Sequence, residues 1–328
     1  MKITQELWAK MCDYANLCKD QGIPLGRHTA KDALKIPESV ARGLVFMYKN
    51  KHLLSGEPEE LILNDSEKKL PRILIFDIET APGTAHVWGT NKQYVDANAI
   101  IERSFMLGWT GKWLFDSIVH SDFVTSEEAL ARDDSRVTKS IWTMLDQADI
   151  VVAHKGDTFD IPWVNTLFLM HGFPPPSPYQ SIDTLTTLTK QRQFKFMSNK
   201  LDYVNRMLGL RRKLSMTWQD WMDCKDGKEE ALRKMEDYGR YDSAILEETY
   251  LLLRPWIKSH PNVGLYVDTD KEACAHCGCT DLQWGGSYVT PMNRYSTARC
   301  PNCGAMVRSR HSELTKEDKD RLTRSLAR

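Results

Sequence analysis

The chain has 328 residues, 41% hydrophobic and 27% charged, enough for two or three domains and at least one buried core. Lysine plus arginine equals aspartate plus glutamate, 44 against 44, so no global field draws the chain to a polyanion and local patches must supply any grip on nucleic acid. It contains no uncharged apolar run of the roughly eighteen residues a membrane helix needs, and the acid-bearing start MKITQELWAKMCDYANLCKD lacks the apolar stretch of a signal peptide; a soluble cytoplasmic protein without a membrane partner is expected.

Residues 1–54 read as a helical module. Thr4 is a plausible N-cap, Leu7, Met11 and Tyr14 share a face, and Gly22-Ile23-Pro24 breaks the pattern. Thr29 to Leu34, a turn at Lys35 to Glu38 and a helix from Ser39 to about Asn50 give a helix–turn–helix rhythm, with Arg42 on the candidate recognition helix. Residues 55–70 are acidic and turn-rich, hence a linker. From Pro71 the pattern turns to strands. Arg72 to Phe76, Phe105 to Trp109, Ile118 to His120 and Ile150 to Ala153 are short apolar runs of the kind buried in a sheet. Helical periodicity follows from Ile161 to His171, the prolines at 174–176 and 178 force an irregular loop, and Lys200 to about Leu253 is mostly helical. The order predicts an α/β fold, a mixed sheet flanked by helices, over residues 71–258.

Three acidic segments of that domain carry chemistry. In Phe76-Asp77-Ile78-Glu79-Thr80 the acids stand at i and i+2 of a strand, so both carboxylates leave one face. Like charges at that spacing resist ionising unless a cation neutralises them, and hard cations such as Mg2+ prefer carboxylate oxygens. Asp160 stands where a strand passes through a loop into a helix opened by Pro162. Tyr238 and Asp242 are spaced i, i+4 on a helix and look toward the same point.

Together these segments resemble the DEDD exonucleases of the ribonuclease H-like superfamily, in the branch with tyrosine in the third motif. They are similar to the proofreading domains of family B DNA polymerases and to related stand-alone nucleases. Asp77 and Glu79 match the first motif, Phe159-Asp160 the second, Tyr238 with Asp242 the third, and the segments at Ser181 to Thr184 and Ser198 to Tyr203 also look familiar; the resemblance spans roughly 71–255. It implies 3′–5′ hydrolysis of DNA phosphodiesters with two Mg2+ or Mn2+ ions. Asp77 would bridge the ions, Glu79, Asp160 and Asp242 complete their shells, and Tyr238 orient the attacking water. One departure is Lys155, where many relatives carry asparagine. RNA or structured junctions on the same fold, and a catalytically inactive DNA-binding or recruitment protein, are the alternatives.

The basic stretch 190–213 holds Lys195, Lys200, Arg211 and Arg212 among the aromatics Phe194, Phe196 and Tyr203; with Lys155 and Arg42 these are the candidate nucleic-acid contacts. Of the eight cysteines, Cys274, Cys277, Cys300 and Cys303 form two CxxC pairs 22 residues apart. Four thiolates satisfy one structural Zn2+, so residues 268–312 are predicted to be a zinc ribbon, ahead of a helical tail at 313–328. His276 and Cys279 are read as bystanders. Arg294, Arg299, Arg308 and Arg310 around Trp284 and Tyr288 suit either a strand grip or a solvated surface.

Overall fold

The computed structural model describes residues 5–21, 27–35, 48, 70–89, 91, 94–189, 193–324 and 326. The chain divides into a central unit, Pro71–Pro261, and a unit built from its two ends, Met1–Leu70 with Asn262–Arg328. In the end unit, α1 (Gln5–Asp20) and α2 (Arg27–Leu34) pack together. Met11, Ala15 and Cys18 recur at the helical interval and are all buried. The helix read from Ser39, with Arg42, lies outside the described residues except Tyr48, whose hydroxyl donates to Asn16 Oδ1 at 3.0 Å. Thr4, Lys190, Arg192 and most of the 55–70 linker are likewise outside them.

The central unit is built on β1 (Ile73–Ala81), the small pair β2 (Thr84–Ala85) and β3 (Ile100–Glu102), then β4 (Phe105–Trp113) and β5 (His120–Phe123). Helices α3 (Ser126–Ala131) and α4 (Ser135–Leu145) follow, then β6 (Ile150–Ala153), α5 (Asp160–Met170), β7 (Gln180–Asp183), α6 (Thr184–Thr189), α7 (Leu201–Met207), α8 (Trp218–Lys225) and α9 (Glu229–Leu253). The five-stranded sheet runs β5-β4-β1-β6-β7, antiparallel from β5 to β1 and parallel from β1 to β7. β1 is central, so Ile73 to Phe76 are buried on both faces; a continuous apolar run is what such a position demands. The strand continues through the acids to Ala81. The strand read at Ile118 instead begins at His120, because Asp116 Oδ1 takes the Ile118 amide at 3.1 Å and turns the chain outward.

Neighbouring residues of β4 show where the helices lie. Trp109 Nε1 donates to Ser140 of α4 at 2.7 Å, whereas Thr110 Oγ1 donates to the Gly239 carbonyl of α9 at 2.9 Å. Successive strand residues point to opposite faces, so α4 and α9 cover opposite sides of the sheet. On its own side α4 buries Val137, Ile141 and Leu145, each worth about 1.5–3 kcal/mol when fully removed from water. On the other side, Lys112 of β4 meets Glu247 of α9 at 2.7 Å.

Contact between α9 and the sheet is closest at Gly239, where an added Cβ would lie 2.9 Å from Thr110 Cγ2. Thr110 cannot easily yield, because its hydroxyl also bonds Ser243 Oγ at 2.8 Å. Gly239→Ala should therefore cost about 1–3 kcal/mol, read as a lowered urea midpoint with an unchanged slope; an unshifted midpoint would show that the helix has room.

Candidate active site

The register of β1 on β4 aims the first acids. Asp77 lies opposite Thr110 and Glu79 opposite Gly108, so both share the face on which Thr110 meets α9. Asp242 and Tyr238 come down to the same face from α9, one helical turn apart, on either side of the close approach at Gly239. Carboxylate oxygens of Asp77, Glu79 and Asp242 lie within 4.8 Å of one another.

Asp160 arrives by a different route. Parallel pairing with β6 ends at Ile75, which leaves the Ile78 amide without a strand partner on that side. The first residue of α5 fills the gap, with Asp160 Oδ1 accepting from Ile78 N at 3.1 Å. That bond sets the Asp160 carboxyl beside Asp77, whose charge acts on it.

Burial dominates the electrostatics. Removal from water pushes Glu79 and Asp160 well above the usual carboxylate range, in each case reinforced by the charge of Asp77; Asp77 itself rises for the same reason. Burial likewise holds Asp242 up at about 6, even though Lys213 bonds it. Asp242 Oδ1 is buried and has no hydrogen-bond partner among the described residues. An orphaned oxygen among acids that cannot all ionise together fits a hard divalent cation, whose preferred ligands are carboxylate oxygens.

Lys213 is the component that spacing did not single out. Its ammonium reaches Asp242 Oδ2 and the Tyr238 hydroxyl, the latter at 3.3 Å. Burial alone would lower its pKa, but the charges of Asp77 and Asp242 override that and raise it. In sequence it is one cation at the end of a basic run, on the irregular stretch between α7 and α8, where no periodicity says which way a side chain points. Burial raises the Tyr238 phenol above its ordinary value, so it stays protonated. A cleft of about 470 Å³ adjoins Tyr238, lined by Leu214, Met216, Arg233 and Asp237 among others.

The other candidate contacts differ in freedom. Lys155 is exposed and holds a left-handed backbone, φ 79°, with its amide on Asp183 Oδ1 at 2.9 Å. Asparagine adopts that conformation more readily than lysine. Lys195 and Lys200 are exposed. Arg212 pairs with Asp202 at 3.1 Å, and Arg211, largely buried, pairs with Glu248 at 2.7 Å.

The cysteine pairs form a second metal-type cluster, in the end unit. Sγ atoms of Cys274, Cys277, Cys300 and Cys303 lie within 4.8 Å of one another, with 3.6 Å between Cys274 and Cys303 and 3.5 Å between Cys277 and Cys300. A tetrahedron with Zn–S bonds of about 2.3 Å has edges of about 3.8 Å, so the set fits Zn2+. Both pairs sit in equivalent turns: Gly278 N donates to Cys274 O and Gly304 N to Cys300 O, at 2.8 and 2.9 Å. The two glycines have φ of 75° and 77°, a region side chains avoid. Neither His276 nor Cys279 belongs to the cluster. The sheet beside it consists of β8 (Gln283–Thr290), β9 (Asn293–Arg299) and β10 (Met306–Arg308), in the order β10-β9-β8, followed by a short α10 (Lys316–Asp320).

Residues 111–253 match the family model described as the RNase_H superfamily. The match takes in Asp160, Tyr238 and Asp242 and begins after Asp77 and Glu79. No curated protein matches the chain. One similar solved structure is the family B DNA polymerase from the hyperthermophilic archaeon Pyrobaculum calidifontis, at 18% identity and a TM-score of 0.40, covering 56% of this chain. The chain spans only 25% of that polymerase. No helix among the described residues is long and apolar enough to cross a membrane.

Two outcomes are expected. A carboxyl such as Asp242, raised to about 6, binds more protons folded than unfolded, so its share of stability is present below the ordinary value of 3.8 and is lost as pH climbs through 6. A bound cation restores that loss, so Mn2+ should raise the melting temperature more at pH 7.5 than at pH 5; an equal or smaller rise at pH 7.5 would count against the site. Elemental analysis should find one zinc per chain, lost with Cys300→Ser. Full zinc content in that variant would remove Cys300 from the ligand set.

Proposed function

We propose that this chain, whose residues 111–253 match the RNase_H superfamily model, is a metal-dependent 3′–5′ exonuclease that hydrolyses phosphodiester bonds of DNA. The observation that carries the reading is the convergence of Asp77, Glu79 and Asp242, with Asp160 anchored nearby on the Ile78 amide, around a buried oxygen without a partner among the described residues. Direction and substrate rest on the resemblance of the three motifs to DEDD exonucleases.

Asp77 lies close to Glu79 and Asp242, and Asp160 is anchored nearby on the Ile78 amide. In this reading Asp77, Glu79, Asp160 and Asp242 would hold two Mg2+ or Mn2+ ions. Such ions supply Lewis-acid charge at the scissile phosphate and lower the pKa of an attacking water. Tyr238, kept as a phenol by burial, can orient that water through its hydroxyl but is a poor base at neutral pH. Lys213 brings a further positive charge to the same point, suited to a phosphate dianion or a leaving oxygen. Exposed Lys155, Lys195 and Lys200 are free to meet the backbone of the strand.

Lys213 also gives the non-cutting alternative its one support, since an ammonium already neutralises part of the acid cluster. A digestion panel separates the two. Single-stranded DNA labelled at its 5′ end should shorten stepwise from the 3′ end with Mg2+ or Mn2+ and remain intact with EDTA. Asp77→Ala should slow this by about a thousandfold or more, the loss expected when several kcal/mol of metal-borne stabilisation disappear. Unchanged digestion by that variant would refute the site. Intact DNA and RNA with the wild type would favour a binding protein, and faster digestion of RNA would change the substrate.

A further inference from the structure

The two faces of the ribbon sheet carry different chemistry. Cross-strand register puts Trp284, Ser287 and Val289 of β8 on one face with Arg294 and Ser296 of β9. On that face the cation is compensated: Glu313 of the returning chain pairs with Arg294 at 2.9 Å and accepts from the Ser287 and Ser296 hydroxyls. The other face holds Tyr288 opposite Tyr295, Arg308 opposite Thr297, and Arg299 opposite Met306. Tyr288 and Met306 are each 51% exposed there.

Tyr288, Tyr295 and Arg308 make a stripe across all three strands. The Arg308 guanidinium lies over the Tyr295 ring at 4.0 Å, which fixes both groups as flat surfaces. Arg308 and Arg299 donate to backbone carbonyls, of Ser309 at 3.1 Å and Gly304 at 3.3 Å, and neither pairs with a carboxylate among the described residues. β8, β9 and β10 contain no acidic residue. Positive charge that is left uncompensated beside ring faces matches a ligand carrying regular negative charge and stacked planar groups.

We propose that this face of the ribbon binds single-stranded DNA, with bases stacking on Tyr288 and on the Arg308 guanidinium that caps the Tyr295 ring, and phosphates meeting Arg299. An acidic peptide would use the guanidiniums but has no planar groups for the rings. A paired duplex hides its base faces, so the rings would gain nothing there. The choice of DNA over RNA rests on the exonuclease reading; the surface itself is independent of the acid cluster.

The test uses the full, zinc-loaded chain carrying Asp77→Asn, which cannot cut, and a fluorescein-labelled oligothymidylate followed by anisotropy. Tyr288→Ala combined with Arg308→Ala should weaken binding by about tenfold or more, since each lost stack or phosphate contact is substantial on its own. Arg299→Ala alone should flatten the salt dependence. Val289→Ser, on the opposite face, should bind as the parent does, and zinc content confirms that each variant keeps its ribbon. Undiminished binding by the double variant, tighter binding of oligouridylate, or equal binding of polyglutamate would overturn the proposal. DNA digestion by the wild type together with undiminished binding by the double variant sinks the ribbon reading alone. Loss of binding in the double variant with no digestion by the wild type sinks the nuclease reading alone.

Discussion

Buried negative charge sets the terms for the central unit. Two ionised carboxylates within 4.8 Å of each other repel by at least about 3 kcal/mol even at an effective dielectric of 20. Four acids meet here against the single ammonium of Lys213, so full ionisation would leave three charges uncompensated in a buried place. The protein alone relieves this only in part, by the Lys213 charge and by pKa values raised on all four acids. A raised pKa keeps an acid neutral, and a neutral acid is a weaker ligand. The cluster is therefore costly to the fold without a cation and well matched to one.

The scaffold holds the acids there through backbone constraints that serve the sheet as well. β1 loses its β6 partner beyond Ile75, and the freed Ile78 amide takes Asp160 as its acceptor. The missing hydrogen bond of one strand thus becomes the anchor of an acid from a helix 82 residues later. Gly239 lets α9 lie close against Thr110, which brings Tyr238 and Asp242 within reach of the strand pair. The ribbon follows the same logic with softer ligands: two glycine-closed turns gather four thiols at spacings that suit a tetrahedral ion.

Much of this was legible in the residues. The strand parity of Asp77 and Glu79 and the helical spacing of Tyr238 and Asp242 are local, and local periodicity needs no knowledge of the fold. The same holds for the run at Ile150 to Ala153 and for the mixed sheet flanked by helices. The buried strand β7, with Gln180 and Ser181 exposed at its start, has too few apolar residues for an alternation to stand out. Helix α3 opens on a capping box at Thr125 and Glu128, a local signal in the sequence, whereas α4 begins after Asp134 with no side-chain cap hydrogen bond. Lys213 was beyond reach for another reason: an irregular segment carries no period, and only the folded chain shows which of several neighbouring cations turns inward. The two faces of the ribbon likewise depend on a register shift between Trp284 and Ser287, which composition does not reveal.

The claim beneath the whole account is that Asp77, Glu79, Asp160 and Asp242 together hold divalent cations. Anomalous diffraction from crystals of the full chain soaked in Mn2+ addresses it most directly. The account predicts anomalous peaks within coordination distance of all four carboxylates, with Asp242 Oδ1 engaged. A well-ordered site with no peak, and Lys213 still the sole cation on Asp242, would contradict it.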